Sequence, residues 1–178
     1  MLPELMSAEQ LLDVDIPGKQ VELVRGRLVV KEPPGYLHGT IVARLCFELV
    51  QYVRAHDLGQ VVADPGFTLG RNPDTVRAPD VAFVQRSRVP DPLPTAFAEL
   101  APDLAVEVLS PHDRPGETLS KIGDWLNAGT RLVWVIDPAR RQARVYRQDG
   151  TEAVLSETDT LLGEDVLPGF SCPINAIL

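Results

Sequence analysis

Sulfur and imidazole are scarce in this chain: 178 residues hold two cysteines, Cys46 and Cys172, and three histidines, His38, His56 and His112. No Cys-x-x-Cys spacing occurs, which excludes a zinc knuckle or a thioredoxin-like motif, and the scattered histidines are a poor basis for a zinc site. Long hydrophobic runs are missing too. The longest clean apolar run, Leu132 to Ile136, falls far short of the roughly 20 residues that a membrane-spanning helix needs. Met1 to Gln10 carries Glu4 and Glu9 and no basic stretch, so it does not read as a secretory signal, and a cytoplasmic location is expected. The absence of Gly-x-Gly-x-x-Gly, Walker and Gly-x-Ser-x-Gly sequences removes the usual nucleotide-binding and serine-hydrolase readings. Positive charge is in deficit, since 17 Lys and Arg face 25 Asp and Glu to leave a net charge of −8. That weighs against tight non-specific nucleic-acid binding, yet it leaves room for a local basic groove.

What remains suffices for one domain, residues 1–178, with 1–19 as an N-terminal appendage. A hydrophobic content of 44% can build one core without disulfides and argues against disorder. Sixteen prolines imply many short, stiff connections. Ser7 and Gln10 form a capping box for a short helix ending near Asp13, with Leu11 and Leu12 placed to dock on the body. Val21 to Val24 and Arg27 to Val30, separated by Arg25-Gly26, predict a hairpin. Ile41, Leu45, Leu49 and Val53 recur at four-residue steps and predict a helix over His38–Asp57, with Gly59 as its stop. Strands are predicted at Gln60–Ala63, Phe67–Leu69, Val81–Val84 and Leu104–Leu109. A second helix fits Glu117–Ala128, with Leu119, Ile122 and Leu126 on one face and Gly129 at its end. The strand Arg131–Ile136 and a hairpin of Ala143–Arg147 with Thr151–Leu155 follow, and a last short segment ends in Leu167-Pro168-Gly169-Phe170. This order predicts an α/β fold whose mixed sheet is flanked by two main helices, with hairpins at both ends.

Glu107 is the most informative residue. It lies in Leu104-Ala105-Val106-Glu107-Val108-Leu109, a strand apolar on both faces and hence central. A carboxylate there incurs a desolvation cost of several kcal/mol unless a cation or donors compensate it. The competing account is a strand-end residue that faces solvent or an arginine. Asp80 follows Pro79 and opens the apolar run Val81 to Val84. If the two strands are neighbours, two carboxylates converge, as a hard divalent cation such as magnesium requires. Asp103 repeats the Pro-Asp pair, but four strand residues separate it from Glu107 by about 13 Å at about 3.3 Å per residue, too far to share one metal. Lys121 borders the apolar stripe of the second helix, where it can reach the sheet's open end, orient an attacking water and stabilise phosphoryl charge. The alternative is a lysine whose stem lies on Trp125. Glu22 in the first hairpin strand and His38 at a helix start are further candidates. Arg71, Arg77, Arg86 and Arg88 flank the Asp80 strand, and Arg140, Arg141, Arg144 and Arg147 form a late basic cluster; arginines around a carboxylate site suit a phosphodiester substrate.

Pro79-Asp80 followed by Glu107-Val108-Leu109 resembles the PD-(D/E)XK nuclease signature, with Leu109 where the signature has lysine. That departure, together with Glu22-Leu23-Val24, His38, Arg77-Ala78-Pro79-Asp80, Val106-Glu107-Val108-Leu109-Ser110-Pro111, Lys121 and Val133-Trp134-Val135-Ile136-Asp137-Pro138, is similar to the Uma-two family of predicted restriction endonucleases, over about Glu22 to Phe170. The resemblance implies a restriction-endonuclease-like fold and Mg2+- or Mn2+-dependent hydrolysis of DNA. It also implies a lysine moved from the strand to the following helix, at Lys121. Asp80, Glu107 and the Val108 carbonyl are the implied metal ligands, and Glu22 and His38 the implied supporting residues. A homodimer is expected because duplex cleavage needs two sites. The alternative function is a non-catalytic binding or regulatory module on the same fold.

Overall fold

The computed structural model describes residues 5–178, so the first four residues of the expected appendage lie outside the described part. The short helix α1, Ala8–Leu12, has the capping box of Ser7 and Gln10. It buries Ala8 and Leu11 against Leu23 and Val76, whereas Leu12 is 49% exposed.

Strands β1 (Gln20–Val24) and β2 (Arg27–Lys31) pair as the expected hairpin. Arg25 and Gly26 both adopt left-handed backbone, with φ of 48° and 73°, the turn geometry that matches the twist of paired strands. Helix α2, Tyr36–His56, buries Ile41, Leu45, Leu49 and Val53, the stripe that the four-residue spacing marks. Its left-handed cap is Asp57, with φ of 56°, and not Gly59. Gly59 opens β3 (Gly59–Ala63) and is required by close packing, since a Cβ there would lie 2.1 Å from the Val84 carbonyl oxygen.

Strands β4 (Phe67–Gly70), β5 (Thr75–Arg77), β6 (Val81–Gln85) and β7 (Leu104–Val108) come next. Helix α3, Pro115–Asn127, then crosses to β8 (Leu132–Asp137), and β9 (Gln142–Arg147) and β10 (Glu152–Ser156) form the late hairpin. The chain closes with β11 (Thr160–Leu162), β12 (Ser171–Pro173) and α4 (Ile174–Ile177). Strands β5, β11, β12 and α4 go beyond the sequence expectation.

Six strands make a mixed sheet in the order β10-β9-β8-β7-β6-β3, in which only the β7–β8 pair, joined through α3, is parallel. A second sheet has the order β2-β1-β5-β4, and β11 pairs with β12. On one face of the six-stranded sheet, Val81, Phe83, Leu104, Val106, Leu132, Trp134 and Ile136 pack against α2 and the C-terminal segment. On the other, Ala82, Val84, Ala105, Val133 and Val135 meet Ile122 and Trp125 of α3. The inward face of α3 includes Ile122 and, at its edge, Leu126, as expected, but is turned away from Leu119. It carries Lys121, Ile122 and Trp125, and Leu119 is 58% exposed.

Candidate active site

Strand β7 alternates. Leu104, Val106 and Val108 belong to the α2 side, and Ala105 belongs to the α3 side, so Glu107 points toward α3 with the period of two that a strand imposes. There Lys121 Nζ donates to Glu107 Oε2 at 2.8 Å, and the Trp125 indole N–H donates to Oε1 at 2.8 Å. Lys121 and Trp125 stand four residues apart on α3 and so share one helix face. Burial pushes the Glu107 carboxyl up to about 7 against the pull of Lys121, and the negative charges of Asp80 and Glu22 add to the rise. Glu107 therefore faces neither solvent nor an arginine. It is a buried acid whose desolvation outweighs the pull of the one ammonium beside it.

Asp80 sits beside it. Val81 pairs with Val106, so the residue before the one and the residue after the other are neighbours across the strand pair. The Asp80 N–H donates to the Val106 carbonyl at 3.0 Å, and Asp80 Oδ2 accepts the Val108 N–H at 2.6 Å where the β6–β7 ladder ends. His38, in the first turn of α2, brings Nε2 within 3.2 Å of Asp80 Oδ1. Hydrogen bonding to Asp80 raises the His38 pKa against partial burial. The other ring nitrogen, Nδ1, is buried without a hydrogen-bond partner among the described residues.

Glu22 comes from β1, across the cleft. Its Oε1 lies 2.9 Å from Lys121 Nζ and accepts the Ala78 N–H at 3.2 Å, and its Oε2 accepts from Arg77 Nη1 at 2.8 Å. Burial opposes ionisation, but the charges of Lys121, Lys31 and Arg77 outweigh it and hold Glu22 down at about 2. The third donor of Lys121 goes to the Ala78 carbonyl at 2.7 Å. Despite burial, Glu107 and Glu22 keep Lys121 charged well above the usual lysine range.

Glu22, His38, Asp80, Glu107, Val108 and Lys121 thus line one cleft of about 820 Å³ between the two sheets. One residue of the same network carried no role in the sequence, Asp124, which accepts from Arg77 Nε and Nη2 at 2.9 and 2.6 Å; two others have roles the sequence did not give them, since Trp125, read as a surface for the Lys121 stem, is a donor to Glu107, and Arg77, read as facing phosphate, holds carboxylates. Position offered one signal, because Asp124 and Trp125 follow Lys121 by one helical turn. Asp64 also lines the cleft, where burial and the Asp80 charge raise its carboxyl.

Most of the other arginines singled out in the sequence go elsewhere. Arg71 pairs with Glu9, Asp74 and Glu99, Arg86 with Asp57, and Arg88 with the buried Asp103. Arg140, Arg141 and Arg147 pair with Asp137, Glu157 and Glu164. Among the described residues, Arg77 alone of the four around the Asp80 strand lines the cleft, and it faces carboxylates there.

A model of the Uma2 family, described as "Putative restriction endonuclease", matches residues 8–175. The chain belongs to the Uma2 family. A crystal structure described as that of "a putative nuclease belonging to DUF820 from Anabaena variabilis ATCC 29413" is similar to this chain with a TM-score of 0.85, over 97% of each chain at 20% identity. At that identity the likeness is one of fold, which is the mixed α/β arrangement that the sequence predicted. No curated protein matches this Uma2 chain. Among the described residues no helix is long and apolar enough to cross a membrane.

Proposed function

We propose that this Uma2 chain is a divalent-metal-dependent endonuclease that hydrolyses DNA phosphodiester bonds as a homodimer. The observation that carries the reading is the junction at Glu107. A buried carboxylate, a second carboxylate on the neighbouring strand and a lysine supplied by the following helix meet at the wall of one cleft.

The donor set fits a hard cation. Asp80, Glu107 and the Val108 carbonyl offer oxygen only, and all three residues line the cleft. Few protein oxygens beside an open cleft suit Mg2+ or Mn2+, which keep waters and take substrate phosphate. Bound there, the ion supplies Lewis-acid neutralisation of the scissile phosphate and a more acidic water.

The chain's own residues do the positioning. Lys121 spends its three N–H donors on Glu107, Glu22 and Ala78. The donor directed at Glu107 is the one that would be free to orient a water and meet phosphoryl charge if a cation took its place beside Glu107. Glu22 and the Ala78 carbonyl hold the ammonium in place meanwhile. His38 fixes the Asp80 carboxylate, and the Val108 N–H fixes its second oxygen.

A non-catalytic module is the second reading, favoured by the net charge of −8 and by the full satisfaction of Lys121. Incubation of the wild-type chain, Asp80→Ala and Glu107→Ala with supercoiled, linear and single-stranded DNA and with RNA, in Mg2+ or Mn2+, separates the two. Metal-dependent DNA cleavage lost in both variants supports the nuclease. No cleavage by the wild type, with no metal uptake, supports the module.

A further inference from the structure

Of the 17 basic residues only three are lysines, Lys19, Lys31 and Lys121, and Lys121 is the buried one. An ammonium is a point charge on a flexible stem, so its acceptors decide where it rests. Two of its three acceptors depend on Arg77. The Arg77 guanidinium holds Glu22 Oε2 at 2.8 Å, while the other oxygen of Glu22 meets Lys121 at 2.9 Å. Ala78, next in the chain, accepts from Lys121 at 2.7 Å and donates to Glu22 at 3.2 Å.

Arg77 is clamped in its turn. Its Nε and Nη2 both reach Asp124 Oδ2, at 2.9 and 2.6 Å. Asp124 lies three residues after Lys121 on the same helix, so the chain of contacts closes into a ring from α3 through Lys121, Glu22, Arg77 and Asp124 back to α3. Arg77 and Glu22 are both buried. The ring joins β1, the end of β5 and α3, three elements with no backbone ladder common to all. Only a planar, forked donor can serve two carboxylates from one fixed position, which is why the residue here is arginine.

We propose that Arg77, held by Asp124, is a positioning residue. By fixing Glu22 and the Ala78 carbonyl against α3, it sets the place of the Lys121 ammonium beside Glu107 without touching Lys121. The effect on cleavage rests on the nuclease reading above, whereas the effect on Lys121 does not.

Three lysines make the test direct. Lysine labelled with 13C at Cε gives three side-chain signals, and Lys121→Arg identifies the Lys121 signal by its loss. The full-length chain is compared as wild type, Arg77→Gln, Asp124→Asn and Asp124→Glu, with Arg131→Gln as a control at the exposed Arg131–Asp165 pair. The Lys121 signal is expected to move in Arg77→Gln and Asp124→Asn, to return toward its wild-type position in Asp124→Glu, and to stay in place in the control. Cleavage is expected to lose kcat by about 10- to 100-fold with KM near wild type, the cost of a misplaced group distant from the bond broken. A wild-type Lys121 signal in folded Arg77→Gln and Asp124→Asn, with only the melting temperature lowered, overturns the proposal and leaves Arg77 a structural tie. If Arg77→Gln does not fold, Asp124→Asn decides by the same signal, since it removes a charge at the rim of the network and no volume. If the wild type cleaves no nucleic acid, the nuclease reading fails while the Lys121 signal still decides the positioning role.

Discussion

Trp125 donates its indole N–H to Glu107 Oε1 at 2.8 Å from a fully buried position under α3, so one oxygen of the central carboxylate is fixed by packing while the other meets Lys121. Trp125→Phe keeps most of the buried volume and removes the donor. Leaving a buried acceptor without its partner costs about 1–3 kcal/mol. Urea unfolding of Trp125→Phe is therefore expected to show a loss in that range, with calorimetric Mn2+ binding weakened because Glu107 is no longer held in one orientation. Wild-type affinity for Mn2+ would show that the indole only packs.

Removing Lys121 has a different signature. Lys121→Met leaves Glu107 and Glu22 buried without the ammonium between them, and breaking such a pair from one side costs about 3–5 kcal/mol. A divalent cation held at Asp80 and Glu107, as proposed, would return positive charge to the same place. The rise in melting temperature on adding Mg2+ or Mn2+ is thus expected to be larger in Lys121→Met than in wild type, although cleavage is lost. An equal or smaller rise would place the metal away from Glu107.

The candidate site was more legible in the sequence than the network behind it. Glu107 stood out because a charge inside an apolar strand has to be compensated, and Asp80 because a Pro-Asp pair opened the next such strand. Lys121 followed from the resemblance and from its place at the border of the stripe. Its neighbour Asp124 was passed over because apolar periodicity assigns charged residues to solvent, and Trp125 was read only as a surface for the Lys121 stem. The same assumption turned α3 onto Leu119, which is exposed, when its inward face is built on Lys121, Ile122 and Trp125. Arg77 meets its partners at 47 and 55 residues' separation, a distance over which local pattern carries no information. The missing elements have physical reasons too. Strand β5 spans three residues between proline-containing turns, and β11, β12 and α4 are three or four residues long. They are held by the burial of Leu161, Cys172, Ile174 and Ile177 in the main core, not by their own propensity.

Dimerisation has a defined surface to test. Strand β10 is the outer strand of the six-stranded sheet beyond β9, and Val154 on it is 54% exposed. An unpaired edge carrying an apolar residue is a template for a second copy. Sedimentation at tens of micromolar is expected to show a dimer for the wild type and a monomer for Val154→Lys, which places a charge on the edge. A monomeric wild type removes the homodimer.

Acid should remove what the Glu22 charge contributes to the fold. Its folded pKa of about 2 lies below the ordinary value of 4.5, so folding favours the ionised form. That contribution is complete above about pH 4.5 and fades as the pH falls toward 2. A shift of this size amounts to about 3 kcal/mol. Glu107 has the opposite sign, because burial raises its carboxyl to about 7; it favours the fold while protonated, and its penalty grows as the pH rises from about 4.5 to 7. The two effects occupy different windows, so a variant can isolate one. Glu22→Gln keeps the side chain's shape and removes its charge from Lys121 and Arg77. Urea unfolding from pH 2.5 to 8 is expected to find Glu22→Gln less stable than wild type above pH 5, with the difference shrinking as the pH falls below 4.5. A difference constant across that range would mean that Glu22 stabilises the site by shape and hydrogen bonding, with no net contribution from its charge.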